Sequence, residues 1–191
     1  MAVDRTAIFI DAAYLDSVLA REFQRVPIDF GRLATELAAG KELLRAYYYN
    51  CPPYQSNPAT VDEAQRKASA DRFYAALKKI PRFDVRLGRL EKRYCQSCNA
   101  ANFRQKRVDI LLAVDLVNLS AKQQISRAVL VAGDSDFLPA VFASKDAGVL
   151  VHLYHGGRGN PPHRDLYDAC DERTQIDQAL IDKVRRSTSV P

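Results

Sequence analysis

The chain has 191 residues, 47% of them hydrophobic and 27% charged, the composition of a folded protein with a substantial core. No apolar run approaches the roughly 20 residues needed to span a bilayer, and MAVDRTAIFI is too short and too acidic for a signal peptide, so a cytoplasmic location with no membrane partner is expected. The net charge of +5 is uneven: Arg82, Arg86, Arg89, Lys92, Arg93, Arg104, Lys106 and Arg107 face only Asp84 and Glu91 in the same segment, which favours a polyanionic partner.

The pattern along the chain alternates. Thr6–Ile10 reads as a buried strand ending at Asp11, and Tyr14–Phe23 and Phe30–Ala39 as helices, the second capped by Asp29 and stopped at Gly40. Leu44–Tyr49 is strand-like and is followed by a loop rich in breakers, NCPPYQSNPAT. Val61–Ile80 keeps helical spacing, and Val85 with Leu87 marks another strand. Val108–Leu119 is apolar on nearly every side, which predicts a largely buried helix. Ala128–Ala132 reads as a strand, Phe137–Asp146 as a helix, Val149–Tyr154 as a last strand and Gln175–Arg185 as a closing helix. This alternation predicts an α/β fold, a mostly parallel sheet covered on both faces. One domain is expected over 1–191, with a Cys-containing basic insertion at about 90–107 and a helical tail at about 156–191.

In such sheets ligands bind beyond the carboxyl ends of the strands, where the strand order switches. Asp11 ends the first strand, Asp134 and Asp136 in VLVAGDSDFLPAV follow a later one, and Asp109 opens a helix after the basic segment. Carboxylates a few ångströms apart repel, so they imply bound cations or raised pKa values. Hard oxygen donors favour Mg²⁺ or Mn²⁺ over Zn²⁺. Two such ions about 4 Å apart can activate water for phosphodiester hydrolysis, and the basic segment would hold the backbone being cut.

Competing chemistries lack their residues. There is no G-x-x-x-x-G-K-[ST] and no G-x-G-x-x-G after a strand. Ala13 stands where a phosphoaspartyl phosphatase would place its second acid, and no histidine is placed to activate Ser135, which reads as a helix cap. A phosphoacceptor receiver domain would carry its aspartate on a middle strand, where this chain runs from Val85 and Leu87 into basic residues.

IFIDAAYL, KRVDILLAVDL, VLVAGDSDFLPAV and LYDACDERTQID, in that order, resemble the NYN domain family of the PIN-like nucleases. The resemblance implies a three-layer α/β/α sandwich, a divalent-metal acidic site at Asp11, Asp109, Asp134 and Asp136, and endoribonuclease activity; single-stranded RNA and a homo-oligomer are the expected partners. Some members of the family act as RNA-binding or protein-interaction regulators, which makes a catalytically weak binding module the alternative. The chain departs from the family where a glycine usually follows the first aspartate and an asparagine stands three residues beyond it: here these are Ala12 and Tyr14.

Asp115 lies about 240° around the helix from Asp109, so a supporting role, pairing with an arginine or bonding backbone, is expected before metal support. Cys95-x-x-Cys98 has zinc-knuckle spacing, and Cys51 is expected at the same sheet edge; with His155 or His163 they would complete one structural Zn²⁺ site. Unliganded cysteines in an insertion are the other expectation, and Cys170 is expected in the core. The phosphate-binding candidates are Arg89, Lys92, Arg93, Arg104, Lys106 and Arg107, with Tyr14, Asp115 and Ser135 as supports of the acidic site.

Overall fold

In the computed structural model, which describes residues 4–94 and 101–186, the first apolar run is strand β1 (Arg5–Asp11), with Ala7 to Ile10 wholly buried. A strand buried on both faces needs cover on both, and the chain supplies it by alternation. Helices α1 (Ala12–Glu22) and α2 (Phe30–Ala38) lead to β2 (Glu42–Asn50), and α3 (Val61–Leu77) leads to β3 (Phe83–Leu87). A hairpin of β4 (Arg89–Tyr94) and β5 (Ala101–Lys106) then precedes α4 (Val108–Ala121), β6 (Arg127–Val131) and α5 (Leu138–Asp146). The chain continues through β7 (Leu150–His155), α6 (Arg164–Ala169), β8 (Glu172–Gln175) and α7 (Gln178–Val184).

Six strands form one sheet in the order β3-β2-β1-β6-β7-β8, and every neighbouring pair is parallel. Side chains alternate across it, as a period of two requires. Ile8, Ile10, Tyr48, Val129 and Val131 share a core with Leu15 and Val18 of α1, Leu33 and Leu37 of α2, Leu77 of α3 and Ile181 of α7. Ala7, Phe9, Tyr47, Tyr49 and Leu130 share the opposite core with Leu112 and Leu116 of α4, Val141 of α5 and Leu166 of α6. The result is the expected three-layer α/β/α sandwich. Among the described residues no helix is long and apolar enough to cross a membrane.

Several elements differ from their sequence reading. Helix α1 begins at Ala12, two residues early, because Asp11 caps it; α3 ends at Leu77, and Lys78 to Ile80 form a turn. Ala39 and Gly40 take positive φ angles of 49° and 76°, which stops α2 as the glycine predicts. The region from 156, read as helical, adds a sixth strand to the sheet; β8 is four largely exposed polar residues, with no alternating apolar signal to betray it. The basic insertion is an antiparallel hairpin outside the main sheet. Helix α4 is not buried all round: Val108, Leu112, Leu116 and Ser120 are buried, but Ile110 and Val114 are 67% and 49% exposed. A helix of an outer layer has one face on the sheet, and its neighbour α5 covers only part of the rest.

Asp115 ties this helix to the sheet. The buried Tyr49 hydroxyl donates to Asp115 Oδ2 at 2.9 Å, and Arg86 Nε lies 3.4 Å from the same oxygen as an ion pair. Burial first, then the Asp115 charge, pushes the Tyr49 phenol far above its ordinary pKa, so it stays a donor at any working pH. Asp115→Leu leaves that hydroxyl buried without its acceptor and should cost about 1–3 kcal/mol in urea unfolding. In a double-mutant cycle with Tyr49→Phe part of that loss should be recovered; strictly additive losses would show that the two side chains do not support one another.

Candidate acidic site

Asp11 closes β1 and Asp134 lies three residues beyond the end of β6. The two strands are neighbours, with Ile10 opposite Val131. From β1 the sheet grows through β2 to β3, and from β6 through β7 to β8, so the order reverses between them. Helices on either side diverge at such a point and leave a crevice above the strand ends.

Both acids are caps, as turn chemistry requires. Asp11 Oδ1 accepts from Ala13 N at 3.0 Å and Tyr14 N at 3.3 Å, starting α1. Asp134 Oδ1 accepts from Asp136 N at 3.0 Å, starting the 3-10 turn Ser135–Phe137. Each cap uses one oxygen, and among the described residues the other makes no hydrogen bond. Half-buried Ser135 sits between the two later acids. Asp109 occupies the second position of α4, where a negative charge suits the helix dipole.

The aspartates feel one another. Burial pushes the Asp11 carboxyl up to about 6; the charges of Asp109 and Asp134 add to the rise, and the two backbone N–H bonds oppose it. Burial also raises Asp109, with the charges of Asp134 and Asp136 adding to it. Asp115 is not among the charges acting on either. The donors are carboxylate oxygens alone, which suits Mg²⁺ or Mn²⁺. Among the described residues no three Asp, Glu, His or Cys side chains are grouped closely enough to hold one ion directly. Mg²⁺ commonly keeps several waters and takes one or two carboxylates from the protein, and this donor set fits an ion held that way.

Tyr14, in place of the family's asparagine, makes contacts the sequence did not disclose. Its hydroxyl donates to Asn160 O and accepts from Gly156 N, both at 3.0 Å, fastening α1 to the loop after β7. Its ring lies where a Cβ on Gly133 would fall, 2.2 Å from that position. The glycine of GDSD is therefore required by the tyrosine. Glu22 holds the same loop, accepting from Gly157 N and Asn160 N at 2.9 Å each.

The basic hairpin runs into the acid-bearing helix. Arg89 is exposed and pairs in register with Lys106; Lys92, Arg93 and Arg104 lie on the same two strands. Arg107 is exposed, takes a φ of 75° and begins α4 two residues before Asp109. Cys95 and Cys98 lie outside the described residues. Cys51 is buried and accepts a bond from the Tyr74 hydroxyl through its carbonyl at 3.2 Å. His163 Nδ1 caps α6, accepting from Asp165 N at 3.3 Å. Cys170 is buried, and burial pushes its thiol up to about 11.

Asp11 favours the fold only while protonated: that contribution is complete below pH 3.8 and lost as pH rises through about 6. Asp11→Asn keeps the cap and removes the charge, so in metal-free buffer it should melt above the wild type at pH 8 and with it near pH 3.5. A melting difference independent of pH would contradict the burial of that charge. Gly133→Ala should destabilise by about 1–3 kcal/mol through the clash with Tyr14, and a Tyr14→Ala background should remove most of the penalty. An equal penalty in both backgrounds would mean the ring is not what the glycine accommodates.

The NYN domain matches residues 5–177 of the chain. The uncharacterized protein y4oD of Sinorhizobium fredii is 34% identical over 88 residues, 45% of this chain and 41% of that protein, so the chain spans less than half of this relative. The crystal structure of VPA0982, a protein of unknown function from Vibrio parahaemolyticus, is similar with a TM-score of 0.63 at 22% identity, covering 97% of this chain and 98% of that one, a likeness of fold. With a match across nearly its whole length, the chain belongs to the NYN domain family, whose members are generally nuclease-like.

Proposed function

We propose that the protein is an endoribonuclease whose acidic centre is Asp11, Asp109, Asp134 and Asp136. The observation that carries this reading is positional: Asp11 and Asp134 cap the turns that follow two neighbouring parallel strands where the strand order reverses, and the charges of Asp109 and Asp134 add to the burial that raises Asp11. Neighbouring uncompensated negative charges are unfavourable, and they persist where a positive ligand offsets them. Asp11 and Asp134 present oxygens that their caps do not use, and Asp109 and Asp136 supply further charge. These residues would hold Mg²⁺ or Mn²⁺, which when bound activates water and stabilises the leaving oxygen of a phosphodiester.

The chain's own residues set the rest. The caps on Asp11 and Asp134 fix both carboxylates to the ends of α1 and of the 3-10 turn, so they are positioned before substrate arrives. Exposed Arg107 begins α4, and the basic residues of the hairpin strands precede it in the chain, which supports a grip there on a single-stranded RNA backbone. The substitution of Tyr14 for the family's asparagine favours a second reading, an RNA-binding module with weak catalysis, because a phenol that bonds Gly156 and Asn160 supplies no amide to a phosphate.

A fluorescent single-stranded RNA incubated with the protein and Mg²⁺ or Mn²⁺ separates the two. Cleavage should disappear in EDTA and fall as pH drops through about 6, where protonation of Asp11 competes with cation uptake. Asp134→Asn keeps the cap, the fold and RNA affinity, and should lower cleavage by about two or more orders of magnitude. RNA bound but uncut across both metals would establish the binding module instead. An Asp134→Asn protein as active as the wild type would remove that carboxylate from the centre.

A further inference from the structure

We infer that the cleft between the β7–α6 loop and helix α6 is a binding site for one nucleotide, taking a base against Tyr167 and a phosphate at Arg158 and Arg164. The cleft has a volume of about 480 Å³ and is lined by His155, Arg158, Pro161, Pro162, Arg164 and Tyr167, among others. That size lies within the roughly 300–1,000 Å³ of small-molecule sites.

Tyr167 is held in place yet left open. The Arg173 guanidinium lies 5.1 Å from the centre of its ring, fixed there because Nε donates to the Tyr167 carbonyl and NH2 to the Asp168 carbonyl. The His155 ring meets it edge-on at 5.2 Å and 72°. Even so pinned, Tyr167 is 39% exposed. A part-exposed aromatic held by a guanidinium and a histidine ring is what single-stranded nucleic acids stack upon. Arg158 is exposed and has no ion-pair partner among the described residues, and Arg164 is shared only with Asp168 at 3.5 Å. His155 Nδ1 lies 2.7 Å from the Gly156 carbonyl, which can only accept, so Nδ1 donates and the ring is held by the loop. A stacking face and two cations at one cleft match a nucleotide's base and phosphate.

The cleft also joins the acidic edge. Its loop is bonded to Tyr14 through Gly156 and Asn160, and His163 N donates to Gly133 O at 2.8 Å. Strand β7, which ends at His155, is hydrogen-bonded to β6, whose following turn bears Asp134. A strand of RNA crossing the aspartates would run onto this cleft; that part of the inference rests on the nuclease reading.

The test uses nucleoside 5′-monophosphates, ribose 5-phosphate and inorganic phosphate titrated in metal-free buffer, where the aspartates repel phosphate, with binding followed by calorimetry and backbone NMR shifts. The mononucleotide should bind more tightly than ribose 5-phosphate, with shifts centred on residues 155–168. Tyr167→Ala should weaken it between about fivefold and a hundredfold, the range of a lost base stack. Tyr167→Phe should retain it, and Arg158→Gln with Arg164→Gln should weaken ribose 5-phosphate and mononucleotide alike. A mononucleotide that binds no better than ribose 5-phosphate, or that binds Tyr167→Ala as it binds the wild type, overturns the site even if RNA is cut. Tyr167-dependent binding by a protein that cuts no RNA keeps the site and removes the nuclease.

Discussion

Parallel pairing obliges every strand of the sheet to end at the same edge, and the rest of this molecule follows from that constraint. Helices carry the chain back between the strands, so both faces are covered and the interior strands become largely apolar, with buried Thr6 and His152 as exceptions. Polar residues concentrate where the strands stop. Asp11, Asn50, Asp134 and His155 all lie at or just beyond strand ends, and each belongs to a different strand. A site assembled this way needs no local sequence motif. It needs only that several strands finish in polar residues.

At the point where the order reverses, structural and chemical roles fall on the same side chains. An aspartate is a good cap because one oxygen accepts from free N–H groups. It is a good cation ligand because the second oxygen remains available. Asp11 satisfies the first role through Ala13 and Tyr14 and remains raised in proton affinity by burial and by its acidic neighbours. The cap therefore does not account for the whole cost of placing the charge there, and the excess is what a cation would offset.

How much of this was legible in the sequence depends on how local each signal is. The buried strands announced themselves as short apolar runs, and the helices through their caps and stops, because those signals lie within a few residues of one another. That Asp11 and Asp134 would meet at one sheet edge followed from topology, since parallel crossovers leave few alternatives, and β1 does lie beside β6. What escaped had no local mark. β8 is short and polar, and its strand character comes only from pairing with His152 to His155. The exposure of Ile110 and Val114 reflects the width of the neighbouring helix layer, which periodicity does not encode. The bonds from Tyr14 to Gly156 and Asn160 join residues 142 and 146 apart. Only the three-dimensional structure explains why a tyrosine at position 14 demands a glycine at 133.

The hairpin of β4 and β5 has a bearing on how such a protein diversifies. Among the described residues its two strands pair with each other and not with the main sheet, and it occupies the chain between Leu87 and Val108. Lengthening, shortening or recharging it breaks no bond of the central sheet. Change in its polar positions is therefore largely uncoupled from the sheet, while Leu90 anchors it against the core. The same acidic edge could be fitted to different partners by exchanging one cassette, while the residues that close β1 and follow β6 stay as they are.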